Sequence, residues 1–367
     1  MDFFVQKDKR ITVFYLISTL RRCGATAVLY NTVAGLDKAI RPVVITIAPE
    51  DADSMRSAFE DILGCKVIQI GSRGWYSVPG IVYRLLRMSR KEEFAVVHAH
   101  GLRPDFIAAI LSFFNVRSVS TIHSNFFLDY PFKYGPLIGE ILSFAHSIFV
   151  SLIGSPVAVS TSLEQVFRSQ GLQKVRCILN GIDLNRFLGF RRVDEQKRNA
   201  VAFGRIVNLK RFDVISKAFQ EATKGSKEQL HIYGEGPMLD ALKDLALENV
   251  VFFGNEKNIE RVLPQYKVFI SASETEALPN AVVEALCSGA KVILSDIPPH
   301  REIHRIAGEK CPIYFFPVND VDALRTLIKR ALDEPQKSCP VSDLDYFSSA
   351  RMSKEYSDLY KSLFEED

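Results

Sequence analysis

The sequence predicts an α/β protein built on two doubly wound parallel sheets, and three observations carry that prediction. The chain has 367 residues, more than one hydrophobic core usually organises, so two domains of ordinary size are expected. From Ile11 to Leu179 short apolar runs alternate with stretches of helical period, and the alternation resumes at about Asn199; strands alternating with helices make a parallel sheet. Between the halves, Asn180-Gly181-Ile182-Asp183 leads to the charged run Arg191 to Arg198, a linker composition.

The bulk numbers agree. Apolar residues make up 47% of the chain and mean hydropathy is near zero, which suits a soluble globular protein and excludes disorder. The six cysteines, at 23, 65, 177, 287, 311 and 339, form no Cys-x-x-Cys pair. That scatter argues against a zinc site or a disulfide framework and for a reducing, cytoplasmic compartment. Lys7, Lys9 and Arg10 ahead of the apolar Ile11 to Leu20 mimic a short signal peptide, but the β-branched and aromatic content favours a first strand. Leu137 to Val159 is the stretch nearest to a membrane span, and Glu140, His146 and Pro156 divide it into a helix and a strand. Residues 1–180 hold 20 Lys/Arg against 14 Asp/Glu, a balance of +6 that leaves −3 for the rest. A basic first half suits an anionic acceptor or anionic lipid, or is charge spread over solvated faces.

The first-half strands are expected at Thr12–Ile17, Val43–Ile47, Val67–Ile70, Ala95–His98, Val116–Ile122, Val157–Val159 and Val175–Ile178. After the first, Thr19 to Thr26 leads into a helix, and Gly24 in that turn either lets backbone approach a phosphate or makes a plain turn. His100 and His123 follow strands, at the carboxyl edge where open parallel sheets bind ligands. Val78 to Lys91 pairs Ile81, Val82, Leu85 and Leu86 with Arg84, Arg87, Arg90 and Lys91, a stripe that suits a membrane surface or an ordinary scaffold helix. Asn125 to Phe132 is aromatic-rich without a regular period, hence a loop, facing an acceptor or folded on its own rings.

In the second half Val201-Ala202-Phe203 is the first strand, ended by Gly204-Arg205. Lys210 follows, just before a helix starting near Phe212. Two cations at such a turn suit a diphosphate, arginine as a planar fork and lysine as a point charge. Leu230 to Tyr233 runs into Gly234-Glu235-Gly236, a weak Gly-x-Gly signal. Val250 to Gly254 and Val268 to Ile270 are further strands. From Ser271 to Ile303 come the end of a buried strand, a polar loop with Glu276, a helix opening at Pro279, a stop at Gly289 and a strand from Val292 to Leu294. Glu284 lies about a turn and a half inside that helix. The amides around Asn280 and Ala281 face any anion at the helix mouth. The tail from Asp345 to Phe364 has a helical pattern.

Glu276 and Glu284 have seven residues between them, followed by Ala285-Leu286-Cys287-Ser288-Gly289 and Arg301-Glu302-Ile303. This pattern, running with the others from about Val13 to Leu363, resembles the retaining glycosyltransferases of the glycogen-synthase-like superfamily, in particular glycosyltransferase family four. The resemblance implies the GT-B fold: two facing Rossmann-like domains, 1–185 and 195–344, with an interdomain cleft and a C-terminal helix, about 345–367, returning to the first domain. It implies a nucleoside diphosphate sugar donor on the second domain and a glycan or lipid-linked acceptor on the first, with anomeric configuration kept.

By the same resemblance His123 lies near the transferred sugar, Arg205 and Lys210 hold the diphosphate, Glu276 takes the sugar hydroxyls and Glu284 the ribose diol. Gly24, Gly204, Gly234, Ala277, Leu278 and Asn280 complete the substrate contacts. No metal, cofactor or nucleic acid is required. Family habit adds bacterial envelope polysaccharide synthesis at the inner membrane face, with peripheral contact to anionic lipid. Ala277, Lys291 and Cys23 depart from the family's usual glycine, proline and glycine; if residue 277 needs positive φ, the strain is on the order of 1 kcal/mol. A sugar-nucleotide epimerase of the same shape and a silent nucleotide-sugar binder are the rival readings.

Overall fold

A computed structural model describes residues 10–72, 74–192 and 199–365. Lys7, Lys9, residues 193–198 of the charged linker and the expected domain start at 195 lie outside the described residues. The chain forms two compact units, Met1–Gly181 with Ser349–Asp367 and Ile182–Ser348.

The first unit holds β1 (Ile11–Ile17), β2 (Ile40–Thr46), β3 (Lys66–Gln69), β4 (Ala95–His100), β5 (Arg117–Ile122), β6 (Ser155–Ala158) and β7 (Arg176–Cys177). They form one parallel sheet in the order β3-β2-β1-β4-β5-β6-β7. Every residue of β1 is buried because helices cover both faces: Val13, Tyr15 and Ile17 enter one core, Phe14 and Leu16 the other. That two-sided burial is why the segment reads as an unbroken apolar run. The helices used below are α1 (Gly24–Ala34), α2 (Val78–Ser89), α3 (Leu102–Ser112), α4 (Phe126–Tyr134) and α5 (Pro136–Leu152).

Two expectations change here. The aromatic stretch expected to be a loop is the helix α4, with Pro131 inside it and Phe126 buried; aromatic residues and proline score poorly for helix, but packing against α5 overrides propensity. In α2, Ile81, Val82 and Leu85 are buried in the core, so its apolar side is scaffold.

The C-terminal helix begins at Ser349, four residues later than expected, and runs to Ser362. It packs on α1 and drives Met352, Tyr356, Leu359 and Tyr360 into the core beside β1, each worth about 1.5–3 kcal/mol of burial. Val341–Phe347, which precedes it, is a 3₁₀ turn of the second unit.

The second unit holds β8 (Ala200–Phe203), β9 (Leu230–Tyr233), β10 (Val250–Gly254), β11 (Val268–Ser271), β12 (Lys291–Ser295) and β13 (Ile313–Phe316), parallel in the order β10-β9-β8-β11-β12-β13. β13 is an addition to the sequence reading; its four residues, Ile-Tyr-Phe-Phe, show no alternation. The helices used below are α6 (Phe212–Ala222), α7 (Asn280–Cys287), α8 (Pro298–Ala307) and α9 (Val321–Asp333).

Lys291 is fully buried, and its Nζ donates to the carbonyls of Ala331 (2.8 Å) and Glu334 (2.9 Å) at the end of α9. Lys267 donates to Leu332 O at 2.5 Å. The lysine that replaces the usual proline is therefore a helix C-cap. Cys311 and Cys339, both buried, form a disulfide across 28 residues. No disulfide framework was expected, and this single pair departs from that expectation while four other cysteines stay free; such a separation leaves no local spacing to read.

Candidate active site

In the second sheet the chain leaves β8 toward β9 and β10, then returns to β8's other side as β11. Loops at the carboxyl ends of strands that flank such a switch point open on a crevice, and here they are stitched together. Glu274 N donates to Leu209 O at 2.9 Å, and Arg211, turned left-handed at φ +48°, donates to Glu274 (2.7 Å) and Asp213 (3.0 Å). Asn319 Nδ2 holds the same Glu274 oxygen at 2.9 Å.

This bracing brings Lys210 and Glu276, 66 positions apart, into a direct ion pair. Ser273 Oγ donates to Glu276 Oε1 at 2.7 Å. Burial pushes the Glu276 carboxyl up, but Lys210 and Ser273 outweigh it and hold it below the usual range. Ser273, Arg211 and Glu274 carried no sequence signal, being polar residues in a loop.

His300, on α8, is also new. It is fully buried, its Nδ1 donates to Ser295 O at 2.7 Å, and its Nε2 has no hydrogen-bond partner among the described residues. Burial pushes it down to about 4, so the ring that feels the Lys210–Glu276 pair is neutral. The position of its histidine just past a strand was the available signal.

The remaining predicted residues are less tightly joined. Arg205 is exposed just past β8, and its guanidinium makes no ion pair or hydrogen bond among the described residues. Glu284 feels a different neighbourhood, the pair Arg186–Glu260 (2.9 Å). Burial pushes its carboxyl up to about 7, with Arg186 pulling back and Glu260 pushing further. Leu278 is buried and Asn280 is the first residue of α7, with Pro279 just ahead of the first turn. Ala277 is not among the non-glycine residues of positive φ, so the feared strain is absent.

Gly204 and Gly234 have φ +138° and +142°, and a Cβ on Gly234 would fall 1.9 Å from Gly204 O. Glycine is thus required where the two turns press backbone to backbone. Gly234→Ala is expected to lower stability by roughly 2–4 kcal/mol, read as a drop in the denaturant midpoint; an unchanged midpoint would contradict this packing.

In the first unit His100 Nδ1 lies 2.9 Å from His123 Nε2. Beneath them His98 joins Tyr360 OH (2.6 Å) and Thr121 Oγ1 (2.8 Å). Burial pushes His123 down to about 4 and His98 to about 3, so the rings are neutral hydrogen-bonding groups. Gly24 opens α1 with no atom within 4 Å of a Cβ and no positive φ, so nothing in the protein itself demands glycine there.

Residues 23–186 match the family described as Glycosyltransferase Family 4, and residues 197–334 the one described as Glycosyl transferases group 1. The chain is a glycosyltransferase of the family-four type, with the GT-B fold. This glycosyltransferase is 24% identical over 372 residues to the O-antigen biosynthesis glycosyltransferase WclY of Escherichia coli, covering 96% of this chain and 99% of WclY. In fold it is similar to Anabaena Alr3699/HepE in complex with UDP and glucose (TM-score 0.77, 15% identity, 96% of this chain and 100% of that one). It is also similar to the sucrose-phosphate synthase of Thermosynechococcus elongatus (TM-score 0.81, 16% identity, 98% and 100%).

Proposed function

We propose that this glycosyltransferase moves a hexose, with retention of configuration and without a metal, from a nucleoside diphosphate sugar to a glycan or lipid-linked acceptor in bacterial envelope polysaccharide synthesis. One observation carries the reading: Lys210 and Glu276 meet at the carboxyl edge of β8 and β11. Lys210 has three N–H donors; Glu276 uses one, and the others serve the diphosphate. As the sugar–oxygen bond breaks, negative charge grows on the leaving diphosphate. Lys210, Arg205 and the first-turn amides of α7 answer it electrostatically, which is the role a metal would otherwise fill. Glu276, kept ionised, accepts donor sugar hydroxyls; Glu284 accepts the ribose diol; neutral His123 serves the transferred sugar. The relatives support the substrate class: WclY is an O-antigen biosynthesis glycosyltransferase, and HepE is seen with UDP and glucose.

A thermal-shift panel of UDP-, GDP- and ADP-sugars identifies the donor by the rise in melting temperature that binding produces. Incubation with that donor and an acceptor, with chelator present, should give a new glycoside whose anomeric coupling matches the donor's. An isomer formed without acceptor would mean an epimerase, binding without either product a silent binder, and an inverted product or chelator sensitivity would each remove that part of the proposal.

A further inference from the structure

β4 and β5 are neighbours in the first sheet, with His98 opposite Val119, and residues two apart on a strand share one face. Each histidine of β4 therefore reaches one step diagonally along the next strand. His98 is held at both ring nitrogens, by Tyr360 OH and Thr121 Oγ1, and Thr121 is held in turn by Tyr356 OH at 2.7 Å. His100 stacks on that fixed ring, with centroids 4.4 Å apart and planes 29° from parallel. The C-terminal helix thus sets the position of His100 through His98. One step further on, His100 Nδ1 meets His123 Nε2 at 2.9 Å.

A single proton occupies that last bond, and the surroundings say which ring supplies it. Burial holds both rings below their ordinary range, so each is neutral and carries one N–H and one bare nitrogen. If His123 Nε2 were the donor, the proton of His100 would sit on its own Nε2. That atom is buried and has no hydrogen-bond partner among the described residues. A buried N–H without an acceptor is the rarer orphan, and an unused acceptor is tolerated more often. The donor is therefore His100 Nδ1, which leaves His100 Nε2 bare and makes His123 accept at Nε2. The one proton of His123 is then on Nδ1, which makes no hydrogen bond among the described residues, and that ring is only partly buried.

We propose that His100 is a positioning residue that fixes His123 as the Nδ1–H tautomer, so that His123 meets its ligand as a hydrogen-bond donor. The ligand's identity, the transferred hexose, rests on the function proposed above; the proton's place does not. An N–H at residue 123 can be taken by a hydroxyl, ring or glycosidic oxygen of a sugar, whereas a bare nitrogen would take only a hydroxyl proton. Imidazoles are commonly oriented by a carbonyl or carboxylate that accepts from the rear nitrogen. Here the rear partner donates, and the tautomer presented to the ligand is the opposite one.

The test is the tautomer itself. Long-range proton–nitrogen correlation spectra of the full chain, isotope-labelled at its seven histidines, distinguish protonated from bare ring nitrogens, and His123 is assigned by the signal that His123→Asn removes. Wild type should show His123 protonated at Nδ1 and bare at Nε2, a reading that needs no variant at 100. His100→Leu removes the donor and should move the His123 proton to Nε2 in at least part of the population. His100→Asn, whose amide N–H stands in for Nδ1, should keep it on Nδ1. The Leu variant should transfer sugar at least about tenfold more slowly, and the Asn variant should recover most of that loss. A role in packing alone would impair both variants alike and leave the tautomer unmoved. The proposal falls if wild-type His123 is protonated at Nε2, if the Leu variant keeps the wild-type tautomer, or if it changes tautomer and transfers at the parental rate. A wild type that transfers no sugar would sink the transfer reading instead, and the spectrum would still decide the proton's place.

Discussion

Lys210→Ala and Glu276→Ala are each expected to lower the transfer rate by roughly 10²–10³-fold, the usual effect of removing one group aimed at developing charge. The two side chains are one ion pair at the end of β8 and β11, so the double variant should lose little more than either single one. Glu276→Ala should change melting modestly, since the Lys210 side chain keeps 30% exposure and solvates when its partner leaves, whereas Lys210→Ala leaves the Glu276 side chain, 12% exposed, without its cation and should melt lower. Initial rates with the identified donor check this. Near-parental turnover in both single variants would remove the pair from the mechanism, and additive losses would mean that they act separately.

Glu284→Gln is expected to make the protein more stable and a poorer enzyme. Burial raises the Glu284 carboxyl to about 7, above its value in the unfolded chain. Between those two values the folded state binds more protons than the unfolded, so stability falls as pH rises through the window and the loss is complete above it. Glutamine carries no such penalty. The variant should gain roughly 1–2 kcal/mol at pH 8, allowing for solvent screening, and little near pH 4. Donor binding that uses the carboxylate should weaken about ten- to a hundredfold in the variant, and in wild type should tighten as pH rises past neutrality. A variant with equal melting at both pH values would contradict the burial argument; unchanged donor affinity would sink the diol assignment.

The strands were legible because a parallel sheet covered on both faces writes itself as short apolar runs, as in β1 and β12. The carboxyl-edge position of His123, Lys210 and Glu276 followed from where those runs stop. What was not legible depends on partners distant in sequence. His300 gains meaning only when β12 lies beside β11, and Cys311 finds Cys339 only through the fold. α4 reads as irregular because its helix is imposed by α5. In α5, period alone assigns Ser143 and His146 to water and Leu137, Ile138 and Ile141 to the core; Asp105 of α3 and Tyr130 of α4, 2.7 and 2.9 Å from the His146 ring, reverse that assignment.

The C-terminal helix has a consequence for how the chain is made. Tyr356 and Tyr360 sit in the floor beneath His98, so the amino-terminal unit lacks part of its interior until the helix Ser349–Ser362 has emerged from the ribosome. The second unit, Ile182–Ser348, has emerged whole by then. On the ribosome the later-encoded unit can therefore settle first, while the earlier one waits with a sheet face uncovered, the state in which nascent chains aggregate and recruit chaperones.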